Sequence, residues 1–212
     1  MRHILVLNPK GGCGKSTIAT NLASYYASQG KNVTLADFDE QCSGLDWLER
    51  RPEGRRKIAG VKGFKTGLKR VPKGTEIVVI DAPARSHGKE LNKLLHAAET
   101  VLVPVLPSTI DMQATGKFIT ELHGKAPFRK KKIRVAVLAN RVRDNTIAFD
   151  ELDAYLTKLD VPYIATLREA QNYIRAYTRG LGIHELPPYL AWPDLQEWGP
   201  LTDWLESRRS RP

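Results

Sequence analysis

Residues 8–23 read NPKGGCGKSTIATNLA, and two lysines, Lys10 and Lys15, flank the glycines. Gly11, Gly12 and Gly14, with Cys13 among them, leave a backbone whose N–H groups can close around phosphate oxygens. A helix opening directly behind them adds its positive dipole end. Lys15 would reach the β- and γ-phosphates, the Ser16 hydroxyl would ligate Mg²⁺, and Thr17 would bond the α-phosphate. One lysine is enough to hold a phosphate chain. Lys10 needs a second task.

Carboxylates follow at two places where such chemistry wants them. LADFDEQ ends an apolar run with Asp37 and Asp39, where acids beside a phosphate loop can orient metal-bound or attacking water. IVVIDAPAR places Asp81 directly after four apolar residues, the Walker B pattern in which an aspartate holds Mg²⁺, usually through water. The expected ligands are therefore ATP and Mg²⁺.

These side chains need a scaffold that brings loop ends together. Six near-continuous apolar runs read as strands buried on both faces: 3–8, 32–39, 76–82, 100–106, 133–140 and 161–167. Helical stretches at 16–29, 88–97, 111–123 and 145–159 alternate with them. That order predicts an α/β fold, a doubly wound and mostly parallel sheet with helices on both faces, as in P-loop NTPases. Neither a repeat nor a linker divides the 212 residues, so one domain over 1–212 is expected. In the last segment, Trp198, Leu201, Trp204 and Leu205 share one helical face, as a closing core helix would, with arginines at a frayed tip.

Composition narrows the partners. Hydrophobic residues make up 42% and charged residues 26%, the balance of a globular chain. Two cysteines make neither a disulfide framework nor a metal set, which fits a reducing cytoplasm. The net charge is +10 and unevenly spread. Residues 50–74 hold ten basic side chains against one acid, and residues 125–134 hold six against none. Such a bias points to polyanions, either nucleic acid or an anionic membrane.

KGGCGKST resembles the deviant Walker A motif of the ParA/MinD family of ATPases, K-G-G-x-G-K-[ST]. The resemblance runs from residue 3 to about 185, with the acidic motifs in order behind it. It implies that Lys10 crosses to the nucleotide of a partner subunit, so that two monomers sandwich two ATP molecules. It implies that Asp39 positions the hydrolytic water and that Asp37 supports the magnesium shell; Glu40 stands where the family commonly has proline. Asp81-Ala-Pro-Ala resembles the family's switch segment, and Asn140 in LANRV is offered to the adenine ring. In ParA-type members the ATP-bound dimer binds nucleoid DNA without sequence preference. Here Arg168, Arg175 and Arg179 of LREAQNYIRAYTRG are read as one arginine face of a helix.

Relatives within the fold are distinguishable. Iron–sulfur members need interface thiolates, which Cys13 and Cys42 do not suit. Small-molecule ligases and kinases need a second-substrate pocket that this length barely allows. A MinD-like membrane ATPase would end in a basic amphipathic helix, whereas Asp194, Glu197, Asp203 and Glu206 line the polar side here. The expectation is a cytoplasmic, nucleoid-associated homodimeric ATPase, slow until a ParB-like or McdB-like adaptor stimulates it. Its cargo would be a plasmid, a carboxysome or another cellular body.

Overall fold

The computed structural model describes residues 1–212. Its strands are β1 Arg2–Val6, β2 Val33–Asp37, β3 Ala59–Lys62, β4 Ile77–Asp81, β5 Thr100–Val105, β6 Arg134–Val142 and β7 Tyr163–Arg168. They form one sheet in the order β3-β2-β4-β1-β5-β6-β7. Every neighbouring pair is parallel, so the sheet expected to be mostly parallel is wholly so. The six predicted runs all become strands. The seventh, β3, lies at the sheet edge inside the basic segment, and Gly60 and Lys62 in it are exposed. Exposed Gly60 and Lys62 flank buried Val61, so no apolar run betrays this edge strand.

The helices are α1 Lys15–Ser28, α2 Ser43–Glu49, α3 Gly63–Thr66, α4 Gly88–Ala97, α5 Thr109–Gly124, α6 Ala126–Arg129, α7 Ile147–Leu156, α8 Gln171–Thr178 and α9 Pro188–Glu206. Two cores result, one on each face of the sheet. Ile4 and Val6 pack with Ile18 and Leu22 of α1 and with Trp198 and Leu201 of α9. Leu5 and Leu7 point the other way, toward Leu91 of α4, Ile119 of α5 and Leu152 of α7. The period-two alternation of β1 thus feeds both layers.

Trp198, Leu201, Trp204 and Leu205 of α9 are buried, as a closing helix requires, while Tyr189 and Trp192 near its start are exposed. Its tip does not fray. A 3-10 turn, Arg208–Ser210, lies across the amino ends of β1, β5 and β6. Buried Arg2 donates to the Leu205 carbonyl (2.6 Å) and the Ser210 hydroxyl (2.7 Å), and Thr100 Oγ1 donates to the Ser210 carbonyl (2.7 Å). Arg134 Nε reaches the Arg211 carbonyl at 3.1 Å. No helix is long and apolar enough to cross a membrane.

Candidate nucleotide-binding site

The site stands where a doubly wound sheet leaves room, at the carboxyl ends of the strands beside β1. Strand register aligns Val6 with Asp81 and Asp81 with Asp37, so both carboxylates finish their strands in one row. The loop from Asn8 to Gly14 rises from β1 and delivers Lys15 as the first residue of α1. Gly12 and Gly14 have φ of 78° and 90°, a left-handed backbone that suits glycine. At Gly14 a Cβ would also crowd the side-chain amide of Asn140.

The loop is held from inside. Lys15 is buried, and its Nζ donates to the Lys10 carbonyl at 2.8 Å. Asn8 Oδ1 accepts the Lys10 amide (2.9 Å), while Asn8 Nδ2 donates to the Pro104 carbonyl (2.7 Å) and ties the loop to β5. Asn140 Nδ2 donates to the Cys13 carbonyl at 2.8 Å. Asn140, read from sequence as an adenine contact, here engages the loop itself while lining the cleft. Cys13 is fully buried, and burial pushes its thiol pKa up, so it is packing rather than a reactive thiol. The Arg85 amide donates to the Pro9 carbonyl at 3.0 Å, joining the segment after Asp81 to the residue next to Lys10. Between these walls lies a cleft of about 870 Å³, reaching from Gly11–Thr17 past Asp39 to Leu167–Ile174.

The three aspartates differ. Asp37 is fully buried, and its oxygens accept the amides of Asp39 (3.0 Å), Gly44 (2.9 Å) and Leu45 (3.4 Å). It therefore braces the turn into α2, a use the sequence did not announce. Burial raises its pKa, with the three amides pulling the other way. Asp39 is half-buried on the cleft wall and accepts the Gln41 amide at 3.0 Å. Asp81 is buried with no hydrogen-bond partner at either oxygen. Burial pushes its pKa up to about 7, and only the nearby Ser16 hydroxyl and Lys15 draw it back. A buried acid without a partner is costly unless a cation completes it. Ser16 and Asp81 therefore fit Mg²⁺, which would offset that cost. No cluster of three or more His, Cys, Asp or Glu could hold an ion unaided. That suits a metal bound by one carboxylate plus substrate phosphates.

The expected arginine face does not form as read. Arg168 is the last residue of β7, and its Nε donates to the fully buried Asp194 at 2.7 Å, with its amide on Glu197 (2.8 Å). It is a structural ion pair joining β7 to α9. Arg175 lies on α8 and Arg179 caps its end, and both are exposed. Sequence reading also missed Tyr177, whose hydroxyl donates to the Ser43 carbonyl (2.9 Å) and ties α8 to the start of α2. Its i+4 distance from Tyr173 was the available signal. Arg141 and Arg143 both hold Glu169, at 3.0 and 2.7 Å, and all three line the cleft.

Residues 4–183 match the model of the CobQ/CobB/MinD/ParA nucleotide-binding domain. The chain belongs to this family. Among relatives of this ParA/MinD member is the maintenance of carboxysome distribution protein A of Halothiobacillus neapolitanus. It is 27% identical over 189 residues, covering 86% of this chain and 87% of the relative. The solved apo McdA from Cyanothece superposes with a TM-score of 0.72 at 17% identity, covering 97% and 99% of the two chains. The Pyrococcus horikoshii septum site-determining protein MinD complexed with Mg-ADP gives 0.68 at 17% identity, over 97% and 96%. These superpositions establish the shared P-loop fold.

Proposed function

We propose that the protein is an ATP-gated dimeric ATPase that distributes a cellular cargo along nucleoid DNA. The observation carrying this reading is the division of labour between two lysines. Lys15 is buried and serves its own loop, whereas Lys10 contributes only its backbone there and its ammonium makes no hydrogen bond or ion pair. A free cation at the lip of a phosphate loop is placed to meet a second nucleotide across a dimer interface. There it would stabilise charge developing on the phosphates.

In this reading the amides of Gly11–Gly14 cradle the phosphates and Lys15 turns from the Lys10 carbonyl to the β- and γ-oxygens. Asp39 orients the attacking water. Mg²⁺, held by Ser16 and by Asp81 (directly or through water), would neutralise phosphate charge. Asp37 acts by bracing the turn that carries Asp39. Hydrolysis would separate the subunits and release the ATP-dependent DNA contact, and an adaptor at the cargo would hasten it. The likeness to a carboxysome distribution protein over most of both chains favours a cargo of that kind.

DNA contacts would come from Arg175 and Arg179. The membrane reading draws less support, because Trp198, Leu201, Trp204 and Leu205 of α9 are spent in the core and Arg208–Ser210 is pinned to the sheet. ATP-loaded protein should bind random duplex DNA with affinity that falls steeply as salt rises. Sedimentation with anionic liposomes, and no DNA binding, would favour the membrane reading instead.

A further inference from the structure

The structure gathers a second basic surface that the proposed site does not use. Residues 129–132 are four consecutive exposed cations delivered by the turn between α6 and β6. Lys131 sits at φ 52°, and the Lys131 and Lys132 amides close back on Phe128 and Pro127 (2.8 and 2.9 Å). That tight turn makes the four side chains diverge over one patch. The pinned carboxyl end brings exposed Arg208 and Arg209 to the same end of the sheet, through the contact of Arg134 with Arg211. No acidic residue occurs from 122 to 143 or from 207 to 212. Of the nearest acids, Glu121 is taken by Lys125 at 2.9 Å and Glu206 lies 3.9 Å from Arg2. None of the cations at 129–132, 208 or 209 is in an ion pair.

We propose that this amino-terminal end of the sheet is a second contact surface for the phosphate backbone of duplex DNA, working without nucleotide. This rests on the reading that DNA is the partner. Several unpaired cations at one end of the sheet, outnumbering the half-buried Glu99 that lies there beside Arg134, match a polyanion and carry no base-reading geometry. Because all strands are parallel, the patch lies at the end opposite the phosphate loop. Six-residue β5 alone separates the two by about 20 Å. An ATP dimer joined loop to loop would therefore turn both patches outward, so one dimer could bridge two duplex segments.

The test uses full-length protein, nucleotide-free and ATP-loaded, titrated with random-sequence duplex at several salt concentrations. The patch variant combines Lys130→Gln, Lys132→Gln, Arg208→Gln and Arg209→Gln. It spares Lys131 for its backbone and Arg134 and Arg211 for their contact. Nucleotide-free wild type should bind duplex, and the patch variant should bind about tenfold or more weakly. Its log–log salt slope should be shallower by about three, as expected when four phosphate contacts go. ATP affinity and the unfolding midpoint should stay unchanged, which separates the effect from misfolding. An Arg175→Gln, Arg179→Gln variant should lose only the ATP-stimulated part. The proposal fails if nucleotide-free protein ignores duplex, if the patch variant keeps wild-type affinity and slope, or if poly-glutamate binds the patch as well as duplex does. In the first two cases ATP-dependent binding through α8 can survive, so the proposed function is judged separately.

Discussion

Asp37 and Asp81 end neighbouring parallel strands, side by side in register, and both are buried. Burial raises the pKa of each. Their surroundings make them opposites. Asp37 faces the first turn of α2, whose amides satisfy it, so its charge is stabilised within the fold. Asp81 lies buried near Ser16 and Lys15 of the phosphate loop, and neither of its oxygens has a hydrogen-bond partner. The difference teaches how to sort acids at a phosphate site: a carboxylate met by backbone N–H groups builds the wall, and one left without partners marks where a cation belongs.

The largest effects should come from the two lysines of the phosphate loop. Lys15→Ala should weaken ATP binding about a hundredfold or more in calorimetry, since a charge-assisted contact to the phosphates is lost. Lys10→Ala should leave that affinity nearly intact while abolishing ATP-dependent dimerisation, read by light scattering. Equal loss of binding in both variants would erase the proposed division between them. Asp39→Ala should bind ATP and dimerise but turn over slowly, because its carboxylate lines the cleft and holds the turn only through the Gln41 amide.

The aspartate comparison can be broken directly. Asp37→Ala leaves three amides without their acceptor and should cost about 4 kcal/mol in denaturant unfolding, nucleotide or not. Asp81→Asn removes a buried charge that the chain does not stabilise, so the nucleotide-free protein should be as stable as wild type or more so. Its loss should appear only as a Mg²⁺-dependent drop in ATP affinity. If both substitutions destabilise alike, the two acids are not different in kind.

Much of this was legible before the structure. Six of seven strands announced themselves by apolar runs, five of them because a strand buried on both faces must be apolar throughout and edge strand β7 through Ile164, Ala165 and Leu167, and the phosphate loop because its chemistry needs glycines and a lysine in sequence. What stayed hidden depends on partners distant in the chain. Nothing in LADFD says that Asp37 will turn to the amides of residues 44 and 45 while Asp39 faces the cleft. Arg168 looked like one of three helical arginines because the fully buried Asp194 that captures it lies 26 positions on. Asn140 was legible as a cleft residue, but its bond to the Cys13 carbonyl spans 127 positions. The edge strand β3 escaped because half-exposed strands in a basic segment lack the apolar signal.

His184 sharpens the comparison further, because its Nδ1 is also buried without a partner, yet it is not among the residues lining the cleft. It lies against Tyr25 and Trp198, with ring centroids 4.9 and 5.3 Å away. An orphan beside the cleft awaits a ligand, whereas this one is a cost of packing. Burial lowers its pKa from 6.5 to about 4, with only Glu185 pulling it back up. Above pH 6.5 both folded and unfolded chains hold a neutral imidazole, so His184 leaves stability unchanged there. As pH falls from about 6.5 to about 4, the unfolded chain takes up a proton that the folded chain refuses, and stability falls. At roughly 1.4 kcal/mol per pH unit, that window is worth about 3 kcal/mol at most. Unfolding midpoints of wild type and His184→Gln should therefore diverge on acidification, the variant losing less, with or without ATP. Parallel curves for the two proteins across that window would show that His184 is already satisfied, and the contrast between the two kinds of orphan would lose its core example.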